Sequence, residues 1–236
     1  MAACPRICRY LHIPAQSGSD RILKLMNRGY TVESYLKLLE DARKTLPGVA
    51  FAGDFIVGFP TETDADYEQT RQMLQAARYK NAFIFKYSPR PGTVAIRRFA
   101  DDVPDAIKRH RNNDLLMLQN EISQDLNRSL TGSTVEVLCE GPSGWRGSES
   151  VVAGSAVNAR GERPVELGAR LAAAFRVQEE LSGGITKDTG EVQLTGRTTA
   201  DQIVVFSGPP KLEGQIVSVQ VRAAYGMTIF GSLSPI

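Results

Sequence analysis

The residues of this chain best suited to hold a small ligand lie in the stretch Asp54–Tyr67, DFIVGFPTETDADY. An apolar run there ends at Gly58, and Thr63 precedes Asp66 by three residues, which is a helix N-cap pattern. The pattern predicts a strand that meets a helix at a tight turn, where backbone N–H groups point outward and can bind a ligand. The alternative is that glycine and proline only mark a connection. The candidate binding residues of this turn are Gly58, Pro60 and Glu62.

A second turn of the same kind follows the short apolar run Leu11–Ala15, which reads as a strand. Small side chains in this turn would let a ligand approach the backbone, and the Gln16 amide offers both a donor and an acceptor. Ser19 can also cap the helix that follows. The candidate binding residues of this turn are Gln16, Ser17, Gly18 and Ser19.

The most uneven charge in the chain lies between Arg71 and Arg98, where seven Lys and Arg residues occur with no Asp or Glu. Four aromatic residues are interleaved with them. Cations beside flat aromatic faces suit a phosphate backbone and unstacked bases. The alternative is a strand core with a solvated basic face. The candidate RNA-binding residues here are Lys86, Arg90, Arg97 and Arg98.

Cys4 and Cys8 have the spacing of the first half of the Cys-x-x-x-Cys-x-x-Cys signature of radical S-adenosylmethionine enzymes, but position 11 is Leu11. Three thiolates are needed to hold a 4Fe–4S cluster with one open iron, so we interpret both cysteines as ordinary helix or core residues. His12 lies in an apolar run and is interpreted as a core histidine. We therefore assign neither catalytic nor metal-ligating residues.

The first hundred residues alternate strand and helix, the pattern of a parallel sheet or part of a barrel. A long amphipathic helix from Pro104 to about Leu130 follows. From Gly132 onward, short alternating runs with Gly-rich turns predict a small all-β module. The predicted domains are residues 1–130 and 131–236, the second with an insertion at about 141–190. The predicted strands of the second domain are Val135–Cys139, Val151–Val157, Leu171–Val177, Gln202–Phe206 and Gln215–Val221.

The totals describe an ordinary globular protein of 236 residues with a formal net charge of +2. No apolar run approaches the roughly 18 residues needed to span a membrane, and no signal-peptide pattern is visible at the N-terminus. We therefore expect a cytoplasmic protein without a membrane partner.

Three motifs in order resemble a known family: LHIPAQSGSDRILKLMNRGYT, DFIVGFPTETDADYEQT and FKYSPRPGTVA. They are similar to the second half of the radical-S-adenosylmethionine methylthiotransferases, in particular the branch that modifies N-prenylated adenosine beside the anticodon of tRNA. VQLTGRTTADQIVVFSG resembles the RNA-binding TRAM module of the same family. The resemblance implies an α/β fold, a partial (β/α) radical-SAM barrel followed by a small all-β TRAM-like barrel.

The family resemblance implies S-adenosylmethionine and two 4Fe–4S clusters as cofactors, and the tRNA anticodon stem-loop as partner. The two strand-to-helix turns would line the S-adenosylmethionine side of the barrel mouth, and Lys86 and Arg90 would face the nucleotide or the methionyl carboxylate. Thr61 stands where the family has glycine. The residues that would belong to the RNA-binding module are Arg197, Phe206, Lys211 and Arg222.

The resemblance predicts the C-terminal portion of a tRNA methylthiotransferase whose cluster ligands are not in this chain, and which is inactive alone. A chain carrying the missing N-terminal half could then pair with the unpaired edge of the first strand. The alternative is a non-catalytic RNA-binding protein derived from the same family.

Overall fold

The computed structural model describes residues 1–4, 6–144 and 190–234. The chain divides into two compact units, Met1–Leu126 and Asn127–Ile236. Most of the predicted insertion at about 141–190 lies outside the described residues, as do the predicted strands Val151–Val157 and Leu171–Val177.

The first unit is an α/β arrangement built on three parallel strands in the order β1-β2-β3. All three strands and the helices between them were predicted from the sequence, and only their ends differ by a few residues. A short helix, α4, was not predicted. The elements are β1 (Tyr10–His12), α1 (Asp20–Leu25), α2 (Val32–Thr45), β2 (Ala50–Val57), α3 (Asp64–Ala77), β3 (Asn81–Lys86), α4 (Val94–Arg98) and α5 (Asp105–Arg128).

Three helices begin at capping side chains, and the sequence predicts two of them, Ser19 and Thr63. Ser19 accepts a hydrogen bond from the Ile22 N–H at the start of α1. Thr31 and Thr63 each form a reciprocal capping box with the residue three positions on, at α2 and α3. Since a capping side chain satisfies backbone donors that the helix leaves free, these residues fix where each helix starts.

Helices α2, α3 and α5 cover one face of the sheet. Phe51, Phe55 and Val57 of β2 are fully buried there, together with Leu74 of α3 and Leu115 of α5. Leu38 of α2 and Ile107 of α5 are exposed. The core therefore lies between the sheet and one layer of helices.

The other face of the sheet carries His12, Asp54 and Phe83, all at least partly exposed. Our interpretation of His12 as a core residue was therefore wrong. His12 Nε2 lies 3.0 Å from Asp54 Oδ1, and its ring stacks on Phe83 with centroids 6.0 Å apart. Alternation along a strand placed this side chain on the face that the helices do not cover.

The second unit contains a closed five-stranded barrel in the order β4-β5-β6-β8-β7. Leu194, Val204 and Ile229 are fully buried inside it. The predictions located β4, β6 and β7 but did not set out β5 and β8 as separate strands. The strands are β4 (Thr134–Pro142), β5 (Val192–Thr198), β6 (Ile203–Gly208), β7 (Ile216–Tyr225) and β8 (Thr228–Leu233).

No helix among the described residues is both long enough and apolar enough to cross a membrane.

Candidate functional site

A cavity of about 750 Å³ opens at the carboxyl ends of the three parallel strands. Gln16 lines it after β1, Ile56 and Phe59 line it at the end of β2, and Phe85 and Lys86 line it at the end of β3. This is the edge of a parallel sheet where ligands are generally bound. The two predicted turns therefore meet at one place, as the alternation of strands and helices suggested.

Gln16 is the residue of the first turn that lines the cavity. Its backbone extends the sheet by one bridge: its N–H donates to the Asp54 carbonyl at 2.7 Å, and its carbonyl accepts from the Ile56 N–H at 2.9 Å. Its φ of 71° lies in the left-handed region, which a non-glycine residue rarely adopts. Both backbone bonds of Gln16 run to β2, and they hold its side chain at the cavity.

Ser17, Gly18 and Ser19 are turned toward helix α3. The Gly18 N–H donates to Thr70 Oγ1 at 3.0 Å, and Ser19 Oγ donates to Asp66 Oδ1 at 2.6 Å. A Cβ on Gly18 would come within 2.5 Å of the Thr70 Cα, so only glycine fits. These contacts give the three residues a role in positioning the turn, and their contact with a ligand stays a prediction.

The turn after β2 is built around a buried ion pair. Glu62 Oε2 accepts from the Gly58 N–H and from Arg111 Nη1, both at 2.7 Å. The side chains of Glu62 and Arg111 are 1% and 4% exposed. The Gly58 backbone has φ +70° and packs on Lys108, leaving no room for a Cβ. Glu62 therefore braces the turn from inside, and its side chain is not among those that line the cavity; its role in cofactor binding stays a prediction.

Burial raises the pKa of the Glu62 carboxyl, and the Gly58 N–H and the Arg111 guanidinium oppose that rise. Loss of Arg111 would leave a buried carboxylate without its counter-ion, which typically costs about 3–5 kcal/mol of stability. The pair therefore fixes the shape of the turn rather than supplying a titrating group to the cavity.

Thr61, at the family's glycine position, has a φ of 68°. Its N–H donates to Asp102 Oδ1 at 2.7 Å, and its carbonyl accepts from Arg21 Nη2 at 2.6 Å. Arg21 also bonds Asp66, the N3 residue of the α3 capping box. A β-branched residue is thus held in a left-handed conformation by bonds from two neighbouring segments.

The predicted RNA-binding cations divide into two groups. Lys86, Arg90 and Arg98 line the cavity, whereas Arg97, the neighbour of Arg98 on α4, does not. Lys86 Nζ is paired with Asp105 Oδ1 at 2.9 Å. Two further cations that line the cavity were missed: Lys24 and Arg28. Both lie outside the basic stretch Arg71–Arg98, and no charge pattern in the sequence connected them to that stretch.

Aromatic residues form one wall of the cavity. Phe59 packs edge-on against Tyr87 and Phe99, with ring centroids 5.2 and 5.9 Å apart. Lys108 Nζ lies 5.3 Å from the Tyr87 ring centroid and is paired with Asp101. This arrangement gives the cavity an apolar wall beside a cationic rim, a combination suited to a ligand with a flat ring and an anionic group.

The four predicted residues of the barrel have different surroundings. Phe206 is 2% exposed and packs in the barrel core. Arg197 is paired with Glu140 and Asp201. Lys211 and Arg222 are exposed. Their role in RNA binding stays a prediction.

Cys4 and Cys8 are exposed and lie outside helices and strands, so our interpretation of them as helix or core residues was wrong. Cys139 is buried in the barrel. In the part of the chain that the structure describes, no group of three or more His, Cys, Asp or Glu residues is arranged to hold a metal ion.

Comparison with known proteins identifies the class first. Residues 1–74 match the model of the radical SAM superfamily. Over nearly its whole length, the chain is also similar to tRNA-2-methylthio-N(6)-dimethylallyladenosine synthases, which confirms the resemblance drawn from the three motifs.

Two relatives illustrate the match. The tRNA-2-methylthio-N(6)-dimethylallyladenosine synthase of Rhodopirellula baltica is 38% identical over 232 residues, covering 98% of this chain and 41% of the relative. The protein of the same name from Chlorobium limicola is 44% identical over 231 residues, covering 98% of this chain and 42% of the relative. The chain thus spans about two fifths of the length of the relatives it matches.

A solved structure also resembles part of the chain. It is the coproporphyrinogen III oxidase of Escherichia coli, described as a radical SAM enzyme, at 21% identity and a TM-score of 0.41. The match covers 49% of this chain and 27% of that protein. At that TM-score the likeness does not define the fold.

Proposed function

We propose that this chain serves in the methylthiolation of prenylated adenosine in tRNA, as part of a radical-SAM methylthiotransferase. The observation that carries the proposal is the similarity to synthases of that name over 98% of the chain. The cavity at the carboxyl ends of the three strands supports it, since it brings together Gln16, Lys86 and Arg90 from two of the family-like motifs. The fold we propose is a partial (β/α) radical-SAM barrel followed by a TRAM-like barrel.

S-adenosylmethionine fits the residues present at the cavity. The volume of about 750 Å³ falls within the range of small-molecule sites, and the aromatic wall is suited to an adenine ring. Gln16 could hold a ribose hydroxyl, and Lys86 or Arg90 the methionyl carboxylate. Bound S-adenosylmethionine supplies radical-generating and methyl-donating chemistry. The chain's own residues bind it, orient it and exclude water on the aromatic side.

The described residues do not fit a 4Fe–4S cluster, because the cluster needs three thiolates and the first unit has two cysteines, Cys4 and Cys8. We assign them no step of the reaction. That the chain is inactive alone stays a prediction. Reconstitution with iron and sulfide tests the interpretation of the cysteines: a stoichiometric 4Fe–4S absorbance in the visible spectrum would show that the chain does hold a cluster and would contradict it.

We assign the anticodon stem-loop to the first unit and to the exposed face of the barrel, and we place the protein in the cytoplasm, where tRNA is modified. The barrel is not strongly basic, since Arg197, Lys211 and Arg222 are offset by Glu191, Asp201 and Glu213. Shape and stacking would therefore carry much of its contact with RNA.

Equilibrium dialysis with labelled S-adenosylmethionine tests the proposed cofactor site. We expect saturable binding by the full chain, and about tenfold weaker binding by Gln16→Ala, since one hydrogen bond to a ligand contributes about 1 kcal/mol or somewhat more. The matched control is Gln72→Ala, an exposed glutamine of α3 whose amide bonds only its neighbour Glu68 in the described structure. Absence of saturable binding would contradict the cofactor assignment and favour the non-catalytic RNA-binding alternative.

A further inference from the structure

The rim of the cavity carries cations without counter-ions. Four of its five lining cations have no acidic partner within ion-pair distance among the described residues, and none of the described lining residues is Asp or Glu. All four are exposed. The four are Lys24, Arg28, Arg90 and Arg98.

These cations come from two segments that the fold places on opposite sides of the cavity. Lys24 and Arg28 belong to the connection after β1, and Arg90 and Arg98 to the connection after β3. Because β1 and β3 flank β2 in the sheet, the two pairs lie on either side of the β2 turn. An anionic ligand could therefore be contacted from both sides.

The surroundings do not neutralise this charge. Ile56 and Phe59, at the end of β2, also line the cavity and carry no charge, and Lys86 adds a fifth cation whose charge is already offset by Asp105. Like charges around one cavity repel each other, and an anion in their midst relieves that repulsion. Elsewhere in the same unit, exposed lysines such as Lys37 and Lys44 are paired with Asp41 and Glu40.

We infer that this cationic rim binds backbone phosphates of the RNA on both sides of the nucleotide whose base enters the cavity. The inference rests on the proposed function and adds Lys24 and Arg28 to its RNA contacts. A single methionyl carboxylate can be satisfied by one or two cations, whereas a strand carries successive phosphates that can occupy both pairs. Phosphate contacts of this kind position the RNA without reading its sequence.

Fluorescence anisotropy with a labelled anticodon stem-loop, at several salt concentrations, tests this role on the full chain. We expect the double variants Lys24→Ala/Arg28→Ala and Arg90→Ala/Arg98→Ala each to weaken RNA binding about tenfold at 0.1 M salt. Each should also lower the slope of log affinity against log salt by roughly 1 to 2, since each phosphate contact on a single strand contributes about 0.7. The control is Lys37→Ala/Lys44→Ala, which removes two exposed cations away from the cavity and should change affinity less than twofold.

Binding of S-adenosylmethionine, measured in parallel, separates the outcomes. Weakened RNA binding by both double variants, with cofactor binding unchanged in Lys24→Ala/Arg28→Ala, supports the phosphate role. Weakened cofactor binding with unchanged RNA binding would overturn it and assign the cations to the carboxylate. RNA binding by the wild type that neither double variant weakens would overturn this inference and leave the proposed function intact. If the wild type bound neither ligand, the proposed function itself would fail.

Discussion

Thr61 concentrates backbone strain at the turn beside the candidate site. A left-handed φ costs a non-glycine residue about 1–2 kcal/mol, and a β-branched side chain fits there least well. The strain persists because the Thr61 N–H and carbonyl are bonded to Asp102 and Arg21. Both bonds involve the backbone, so they survive replacement of the side chain, which loses only the exposed hydrogen bond from Arg21 Nη1 to Thr61 Oγ1 at 3.1 Å.

We therefore expect Thr61→Gly to raise the free energy of unfolding by up to about 1 kcal/mol, the relief of strain being partly offset by the added flexibility of glycine. Thr93→Gly is the matched control: Thr93 has an ordinary φ of −78°, so the same change should lower stability by about 0.5–1 kcal/mol. Denaturant unfolding of both variants measures the difference. Equal destabilisation by the two changes would contradict the strain at Thr61.

Asp66 joins the two predicted turns through hydrogen bonds. Burial disfavours its charged form, but the hydrogen bonds from Arg21, Ser19 and Thr63 outweigh that cost and hold the pKa of the Asp66 carboxyl below its usual value. A lowered folded-state pKa contributes stability that is present above the unfolded-state value, near 4, and is lost as the pH falls toward the folded-state value.

Stability should therefore decline below about pH 4, and Asp66→Asn should flatten that decline while lowering stability at pH 7. Chemical unfolding of both proteins between pH 7 and pH 3 measures this, with Asp41→Asn on the exposed face of α2 as control. A decline of the same steepness in Asp66→Asn and the wild type would count against the assignment.

Strand β1 is an outer strand of the described sheet and is paired only with β2 in it. The Ile13 N–H donates to the Ala52 carbonyl, and strand alternation points the Leu11 N–H the same way. The amides of Tyr10 and His12 then point to the other side of β1. This is where the sequence predicted an unpaired edge able to pair with another chain.

Amide hydrogen exchange should accordingly show slow exchange at Leu11 and Ile13 and fast exchange at Tyr10 and His12 in the isolated chain. Pairing with a second chain would protect Tyr10 and His12 as well. NMR-detected exchange resolves these four amides. Full protection of all four amides in a chain that stays monomeric at every concentration would contradict the prediction that β1 has an unpaired edge.

The elements were predictable because their signals are local. Capping residues such as Thr63, apolar alternation and Gly-Pro turns act over a few positions, and they placed most helices and strands of the first unit near where the structure has them. The orientation of single side chains was not predictable. Glu62, Ser19 and Phe206 turn inward and His12 outward, because packing against α3, α5 and the barrel core decides those orientations.

The candidate site was predictable in outline only. The motifs identified its two turns and the cations after β3, but Lys24 and Arg28 reach the cavity through the parallel sheet order, which a single sequence does not specify. The short helix α4 was missed for a related reason: its five residues carry too short a pattern to recognise, and it lies in a stretch dominated by Gly and Pro.

Among the described residues, four cations without an acidic partner lie around the cavity of the first unit, and residues 191–236 of the barrel carry three cations and three acidic residues. The central claim is that this cavity, which binds S-adenosylmethionine, also receives the prenylated adenosine of a tRNA anticodon stem-loop. Most of the salt-dependent affinity should then arise in the first unit, and the barrel should add contacts that depend little on salt.

Hydrogen–deuterium exchange of the full chain, with and without an anticodon stem-loop that carries prenylated adenosine, tests this claim most directly. We expect protection in residues 16–28, 56–59 and 85–99, with little change in helix α2. An unrelated hairpin of equal length serves as control and should protect these segments less. Protection confined to the barrel, or equal protection by both RNAs, would contradict the assignment of the cavity.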